Sequence, residues 1–172
     1  TKNYDVINID KLTYAGNIKN LKSIENSDSY QFYKIDICDY DSITSVLSNQ
    51  EIDIIFHLAA ESHVDRSINN PSQFLKTNIM GTYNLLEFSR QVLKKRISKN
   101  RFKFIHISTD EVYGDLDSNE EGFSESHRYT PSSPYSASKA SSDHLVRAWN
   151  RTFNIPSIVC NCSNNYGPRQ YI

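Results

Sequence analysis

Short apolar runs alternate with longer polar or amphipathic segments along this chain of 172 residues. Five of the runs have the length and the content of β-branched and aromatic residues that are typical of strands. This alternation predicts an α/β fold built on a doubly wound parallel sheet, with helices between the strands. The strands are expected within residues 5–10, 29–37, 52–60, 102–109 and 155–162.

Two of these runs are almost continuously apolar, which is typical of strands that are buried on both sides of a sheet. They are IDIIFHL at residues 52–58 and FKFIHI at residues 102–107. Because parallel sheets are normally covered by helices on both faces, we expect both faces of these strands to be buried.

Three helices are predicted between the strands. Asp41 can cap a helix that runs to about Ser48. A second helix is expected over residues 71–95, where a proline suits the first turn and apolar positions form a stripe. Gly81 interrupts that stripe, and we interpret it as a point of close packing. The third helix is expected over residues 134–153, beginning at a proline or the tyrosine after it.

Composition and charge place the chain among globular proteins and argue against a nucleic-acid partner. The hydrophobic content is 38%, the charged content is 23% and the formal net charge is −1. These values are compatible with one domain that buries a core, and no basic patch indicates binding to a polyanion. No apolar stretch approaches the roughly 20 residues that would cross a bilayer. A cytoplasmic protein is therefore expected.

The cysteines allow two interpretations. Cys160 and Cys162 form a Cys-x-Cys pair, which could be half of a zinc site, but no second Cys/His pair with ligand spacing accompanies it. The two side chains alternate within a predicted strand and would point to opposite faces. Together with Cys38 they make an odd number, and we favour buried, reduced thiols.

The first candidate for chemistry is the pair Tyr135 and Lys139 in the run YSASK. On a helix this spacing puts both side chains on one face, so that an ammonium could stabilise a phenolate. An unperturbed tyrosine has a pKa near 10 and is a poor base at neutral pH without such help. The alternative is an ordinary pair on a helix surface. The polar stretch 114–133 precedes the helix and is long enough to cover a site.

The second candidate is the acidic pair Asp110 and Glu111, which follows Thr109 at the end of a predicted strand. In an open α/β sheet ligands bind outside the carboxyl ends of the strands. Two neighbouring carboxylates with different pKa values could act there as acid and base. The alternative is a solvated strand end with a capping role.

A dinucleotide-binding sheet normally begins with a strand, a glycine-rich turn and a helix that holds the pyrophosphate. This chain has five glycines and no GxGxxG or GxxGxxG. Its first strand ends in Asp10, which has the position of the acidic residue that binds ribose about 20 residues after such a turn. The sequence therefore looks as though it begins one βα unit late.

Seven ordered motifs carry a family resemblance. The motifs are NIDKLTYAGN (8–17), DICD (36–39), HLAAESHVDRS (57–67), TNIMGTYNLLE (77–87), STDEVYG (108–114), YTPSSPYSASKASSDHLV (129–146) and CSNNYGPRQ (162–170). With them the chain resembles the nucleotide-sugar 4,6-dehydratases of the extended short-chain dehydrogenase/reductase group. That resemblance implies a Rossmann-like NAD-binding domain that lacks its first βα unit and most of the C-terminal substrate domain, with the substrate-binding region beginning after about residue 162.

The resemblance implies NAD as the cofactor. Asp10 would bind the adenosine ribose, where a carboxylate disfavours the 2′-phosphate of NADP. For the LAA run the alternative is tight helix packing. The other residues implied in cofactor binding are Lys11, Leu12, Thr13, Asp36, Ile37, Leu58, Ala59, Ala60, Ser62, Thr77, Tyr135, Lys139 and Asn165.

It also implies the conversion of dTDP-glucose to dTDP-4-keto-6-deoxyglucose, in deoxysugar biosynthesis. Tyr135 would be the base for oxidation at C4, with Lys139 lowering its pKa and Thr109 bonding to O4. Glu111 would remove the C5 proton, and Asp110 would protonate the C6 hydroxyl as it leaves as water. The implied substrate contacts are Ser62, Thr109 and Asn164.

Other functions remain open at this stage. Epimerases and decarboxylases of the same superfamily share the Tyr/Lys pair, but the acidic pair after Thr109 favours dehydration. A non-catalytic nucleotide-binding or dimerisation module is the other possibility, since the chain looks truncated at both ends. The family commonly forms homodimers, here through helices near 71–96 and 134–153. No metal is expected, and the role of His63 is left open.

Overall fold

The computed structural model describes residues 4–95, 102–117, 119 and 121–170. It has five strands, and each lies inside the apolar run that predicted it. The pairing of all five is parallel, as the alternating pattern predicts. The strands are β1 (Val6–Asp10), β2 (Tyr30–Lys34), β3 (Ile54–His57), β4 (Lys103–Thr109) and β5 (Ser157–Cys162).

The strands form two groups. β1 pairs with β2, and the other three are ordered β3-β4-β5. A doubly wound sheet with strand order 3-2-1-4-5-6 gives this arrangement when its first, central strand is left out. The grouping therefore matches the predicted fold class, a doubly wound sheet that lacks its first βα unit.

The helices follow the predicted positions with local differences. They are α1 (Tyr40–Leu47), α2 (Val64–Asn69), α3 (Pro71–Phe74), α4 (Thr82–Lys95) and α5 (Pro134–Phe153). The cap of α1 is Asp39 and not Asp41, because the Asp39 carboxylate accepts a hydrogen bond from the Ser42 amide at 3.0 Å. Asp41 lies in the first turn. The pattern did not predict α2.

The helix expected over residues 71–95 is divided by a π-helical segment, Leu75–Gly81, that joins α3 to α4. A Cβ atom at Gly81 would come within 2.4 Å of Cδ1 of Ile37, so the prediction of close packing at this glycine is confirmed. The Asn84 amide donates to the Ile37 carbonyl at 2.9 Å. The segment after β2 is thus fixed against the helix that precedes β4.

One face of the three-stranded group is covered and the other is open. Phe104 and His106 are fully buried under α4 and α5, whereas Phe56 is 61% exposed and Leu58 is 66% exposed. The prediction that both faces are buried is therefore wrong for the described residues. The crossovers β2–β3, β3–β4 and β4–β5 all advance in one direction across the sheet. Right-handed crossovers of this kind put their helices on the same face, which explains why the other face is open.

The crossover from β1 to β2 contains only a short 3-10 helix, Ile18–Leu21. The expectation of a helix between every pair of strands fails here, because residues 11–29 are rich in polar side chains and carry no continuous apolar stripe. Among the described residues no helix is both long and apolar enough to cross a membrane. Cys38, Cys160 and Cys162 are free thiols and only partly buried.

Candidate active site

The end of β4 holds the first group of predicted catalytic residues. β4 ends at Thr109, which is 7% exposed, and a 3-10 turn over Asp110–Tyr113 follows directly. The Thr109 hydroxyl accepts a hydrogen bond from the Glu111 amide at 3.2 Å and donates to a carboxylate oxygen of Asp110 at 3.3 Å. Local hydrogen bonds therefore fix these three residues relative to one another.

Helix α5 holds the second group in its first two turns. Ser133 caps the helix, and its side chain exchanges hydrogen bonds with Ser136 in a capping box. Tyr135 is 8% exposed and Lys139 is 4% exposed. The alternative of a surface helix pair is therefore excluded, because both side chains lie in the interior beside β4.

The electrostatics of this pair differ from the simplest expectation. Burial raises the pKa of Tyr135, and a hydrogen bond with Thr109 opposes this effect. The charges of Glu111, Asp110 and Asp143 raise the pKa further. Burial lowers the pKa of Lys139 to about 8. The lysine Nζ donates to the Ile107 carbonyl at 2.7 Å. Because Tyr135 lies close to Thr109 and to the carboxylates of Asp110 and Glu111, both groups of predicted residues form one site.

The acidic pair is partly buried and is not a solvated strand end. Burial raises the pKa of Glu111, and the negative charges of Asp110 and Asp115 add to the effect. A carboxylate with a raised pKa is a stronger base while it remains ionised. The raised pKa of Glu111 therefore suits this carboxylate to act as a base.

A cleft opens where the carboxyl ends of β1, β2 and β3 approach one another, with about 450 Å³ of space that is partly open to solvent. Eight of the predicted cofactor residues line it, together with Ile9, Ile35 and Glu61. The eight are Asp10, Lys11, Thr13, Asp36, Ile37, Ala59, Ala60 and Thr77.

The chemistry of this cleft fits a nucleotide. Lys11 Nζ lies 2.6 Å from a carboxylate oxygen of Asp36. Asp10 accepts a hydrogen bond from the Leu12 amide at 2.6 Å, and Leu12 has a left-handed backbone with a φ of 53°. Small side chains at Ala59 and Ala60 leave backbone accessible on the opposite side. A carboxylate at a strand end beside accessible backbone matches the ribose end of a dinucleotide site.

Several predicted residues do not line this cleft. Leu12 turns back towards Asp10, Leu58 points to the open face of the sheet, and Ser62 is exposed in the loop before α2. Asn164 and Asn165 lie in the exposed segment after β5, where the Asn165 amide donates to the Ser163 carbonyl. Their predicted roles in cofactor and substrate binding stay predictions.

Asn78 is a structurally important residue that the sequence did not single out. It lies in the π-helical segment and is 1% exposed. Its side-chain amide accepts a hydrogen bond from the Glu61 backbone nitrogen at 2.8 Å and donates one to the Glu61 carbonyl at 2.9 Å. It also donates to the Ser138 hydroxyl of α5 at 2.8 Å. Asn78 thus ties the loop of the cleft to the helix of the reactive pair. An asparagine on the apolar side of a predicted helix was the available signal.

The histidines have structural contacts. His57 Nε2 lies 2.8 Å from the Thr82 hydroxyl, and His106 Nε2 lies 3.2 Å from the Asp143 carboxylate. Burial lowers the pKa of both rings. His63 is exposed at the start of α2. In the described part of the chain no cluster of His, Cys, Asp and Glu has a metal-binding arrangement.

The described residues of the stretch 114–133 form a loop that packs beside the site. Tyr113 stacks on Phe123 with ring centroids 5.4 Å apart, and the Thr130 amide donates to the Val112 carbonyl at 3.0 Å. Gly114 has a φ of 101°, and a Cβ there would come within 2.6 Å of the Thr130 carbonyl oxygen. Glycine is therefore required where the loop crosses the end of the 3-10 turn.

Comparisons with known proteins identify the family of this chain. The family model described as GDP-mannose 4,6 dehydratase matches residues 1–172. A dTDP-glucose 4,6-dehydratase of Escherichia coli is 56% identical over 176 residues, which cover 96% of this chain and 49% of the relative. The chain therefore spans about half the length of the curated relatives it matches.

Solved structures give the same picture. The dTDP-glucose 4,6-dehydratase from Bacillus anthracis str. Ames, in complex with NAD, superposes with a TM-score of 0.82 at 40% identity, covering 99% of this chain and 49% of that one. DesIV, a dTDP-glucose 4,6-dehydratase from Streptomyces venezuelae with NAD bound, gives 0.86 at 41% identity, covering 97% and 48%.

Proposed function

This chain belongs to the GDP-mannose 4,6 dehydratase family, and on that premise we propose that it is part of an NAD-dependent dTDP-glucose 4,6-dehydratase. The observation that carries the proposal is the gathering of Thr109, Asp110 and Glu111 beside the buried pair Tyr135 and Lys139. The product would be dTDP-4-keto-6-deoxyglucose. In this proposal residues 1–172 form a partial NAD-binding domain, and the substrate-binding region begins after about residue 162.

NAD is the cofactor that fits the cleft best. The carboxylate of Asp10 would bind the adenosine ribose, and the small side chains of Ala59 and Ala60 would allow close approach of the backbone. Asp36 and Ile37 would contact the adenine. When bound, NAD would take up the hydride that leaves C4 of the sugar and return it to C6, while Glu111 would return to C5 the proton that it had removed from there.

In the oxidation step Tyr135 would accept the proton of the sugar O4 hydroxyl. Burial raises the pKa of this phenol, so its ionisation needs positive charge close by. The Lys139 ammonium, four residues along α5, would supply that charge. Thr109, which is hydrogen-bonded within the same site, would orient O4. Lys139 would also hold the nicotinamide ribose.

In the elimination step Glu111 would remove the C5 proton, which the new C4 ketone has made acidic. Its raised pKa suits this role. Asp110, held by the Thr109 hydroxyl, would protonate the C6 hydroxyl as it leaves as water. An epimerase has no use for this pair, because no C5 proton is removed in its reaction.

A panel of substrates tests this function. The assay uses the full-length protein, by which we mean a protein of the length of the curated relatives that contains this chain. With dTDP-glucose we expect a 4-keto-6-deoxy product that absorbs in alkali, and slower turnover with UDP-glucose and CDP-glucose. Ser62 and Asn164 are the substrate contacts proposed within this chain, and Asn165 would lie near the nicotinamide. Formation of a C4 epimer without the alkali-absorbing product would contradict the proposal.

We also propose a homodimer formed through the helices near 71–96 and 134–153, of which residue 96 lies outside the described residues. Large apolar side chains are exposed along this helical run, with Leu75 at 48%, Met80 at 50% and Tyr83 at 38%. Exposed apolar patches of this kind mark interaction surfaces. A cytoplasmic location belongs to the same proposal, since the free thiols suit a reducing compartment.

Sedimentation velocity tests the dimer. The full-length protein should sediment as a dimer, and Met80→Glu should shift it towards monomer because the change puts a charge into the apolar contact. Leu116→Glu is the matched control, since Leu116 is a similarly exposed apolar residue, at 45%, that lies in the loop and in neither helix. A dimer that survives the Met80 change would exclude this surface as the interface.

A further inference from the structure

Asp143 is a fully buried carboxylate that has no part in the reaction described above. It is 0% exposed, one helical turn after Lys139 on α5. Three donors converge on its Oδ2 atom, and they are the Ser108 hydroxyl at 2.9 Å, the Tyr129 hydroxyl at 3.0 Å and the Asn161 amide at 3.2 Å. A buried charge with this many partners from separate elements is a hub that joins β4, β5, the loop and α5.

The hub is connected to the proposed catalytic residues by two routes. The first route is through Ser108, which bonds to Asp143 and immediately precedes Thr109. The second is through the Asn161 amide, which donates to Asp143 and also to the Thr109 carbonyl at 3.3 Å. Lys139 donates to the carbonyl of Ile107, the residue before Ser108. The head groups of Lys139 and Asp143 are therefore attached to consecutive residues of β4.

The charge of Asp143 acts on the same lysine. Burial lowers the pKa of Lys139 to about 8, although the Asp143 carboxylate acts against that effect. The hydrogen bonds lower the pKa of Asp143 itself despite its burial, so that it is ionised at neutral pH. A carbonyl carries no net charge, so the hydrogen bond to Ile107 cannot replace this contribution.

The other titratable and charged groups around this pair come from every adjoining element. His106 and His57 have pKa values lowered by burial and are neutral. Burial raises the pKa of Tyr129 to about 12, so this phenol is also neutral. The remaining groups are Arg147, which donates to Tyr129, Cys162 on β5, Asp110 and Glu111 after β4, and Tyr135 on α5.

We propose that Asp143 is a positioning residue of the dehydratase, which holds the end of β4 at Thr109 and supplies the negative charge that keeps Lys139 protonated beside Tyr135. The proposal rests on the proposed function. It differs from a purely structural role because the carboxylate charge, and not only its hydrogen bonds, would be needed for the oxidation step.

Asp143→Asn in the full-length protein separates the charge from the hydrogen bonds. The amide oxygen can accept the three bonds at Oδ2, and its NH₂ group can face His106 Nε2 if the ring carries its proton on Nδ1, an atom without a hydrogen-bond partner in the structure. Removal of a negative charge lowers the pKa of every neighbouring group. Both limbs of the pH profile for cofactor reduction should therefore move to lower pH, by about one unit.

Tyr129→Phe is the matched control. It removes one hydrogen bond from the same carboxylate and leaves the charge in place. We expect a lower unfolding temperature with both limbs at their wild-type pH. If Asp143→Asn does not fold, Asp143→Ser removes the same charge and leaves room for water among the donors.

A second readout does not depend on turnover. NMR titration of lysines labelled at Cε should give a lower pKa for Lys139 in Asp143→Asn than in the wild type, with Lys139→Met assigning the signal. Unmoved limbs together with an unchanged lysine titration would overturn the proposal. A wild-type protein that oxidises no nucleotide sugar would overturn the proposed function instead, and the lysine titration would still decide the role of the Asp143 charge.

Discussion

Replacing Tyr135 by phenylalanine should lower the rate of cofactor reduction by dTDP-glucose by about 10²–10⁴-fold, the usual contribution of a general base. The change removes the oxygen that would accept the O4 proton. It leaves the packing in place, since the ring meets Phe74 edge to face with centroids 6.3 Å apart. The measurement is the single-turnover absorbance of the reduced cofactor in the full-length protein.

The matched control for this change is Tyr33→Phe. Its hydroxyl donates to Gln31 on β2, which belongs to the two-stranded group and not to the strands beside α5. We expect wild-type cofactor reduction and an unchanged unfolding temperature in this variant. If Tyr135→Phe retained a rate within tenfold of the wild type, another group would have to be the base.

Replacing Glu111 by glutamine should separate the two halves of the reaction. Cofactor reduction should stay within a few fold of wild type, whereas the alkali-absorbing product should form about 10²–10⁴ times more slowly. Reduced cofactor should therefore accumulate during the reaction. Loss of both steps together would show that the roles assigned to Tyr135 and Glu111 are not separate.

The pH dependence of elimination follows from the same carboxylate. Burial and the charges of Asp110 and Asp115 raise the pKa of Glu111, and the base acts only when ionised. Elimination should thus fall on the acid side at a higher pH than an ordinary glutamate would give. Asp115→Asn is a useful companion to Glu111→Gln, because it keeps the base, removes one of these charges and should move the acid limb to lower pH.

The strands of this fold are predictable from the sequence because each one corresponds to a short, continuous run of apolar residues. Each of the five apolar runs contains its strand, and the helix over residues 134–153 begins and ends as its proline and its apolar positions indicate. The open face of β3 was not predictable in the same way. An apolar run shows that a strand has side chains to bury. The face of the sheet that the helices cover is set by the crossovers between strands, which the run does not show.

The site shows a similar division. Short spacing brought out Tyr135 with Lys139 and Thr109 with its acidic neighbours, because chemistry that depends on one helix face or one strand end leaves a local pattern. Asn78 and Asp143 have no such pattern. A polar residue within a helix usually faces solvent. Asn78 is buried where the π-helical segment meets α5, and Asp143 is buried where α5 packs against β4.

The open face and the unpaired edges also bear on how this length of chain behaves when produced by itself. Among the described residues, β1 and β3 each have a strand partner on only one side. A free parallel edge beside exposed apolar side chains is a template for strands of other molecules. With a formal net charge of −1, the chain has little electrostatic repulsion to keep copies apart. Produced by itself, this length of chain is therefore expected to associate with further copies through these edges. A strand and a helix that covered the edges first would prevent that association.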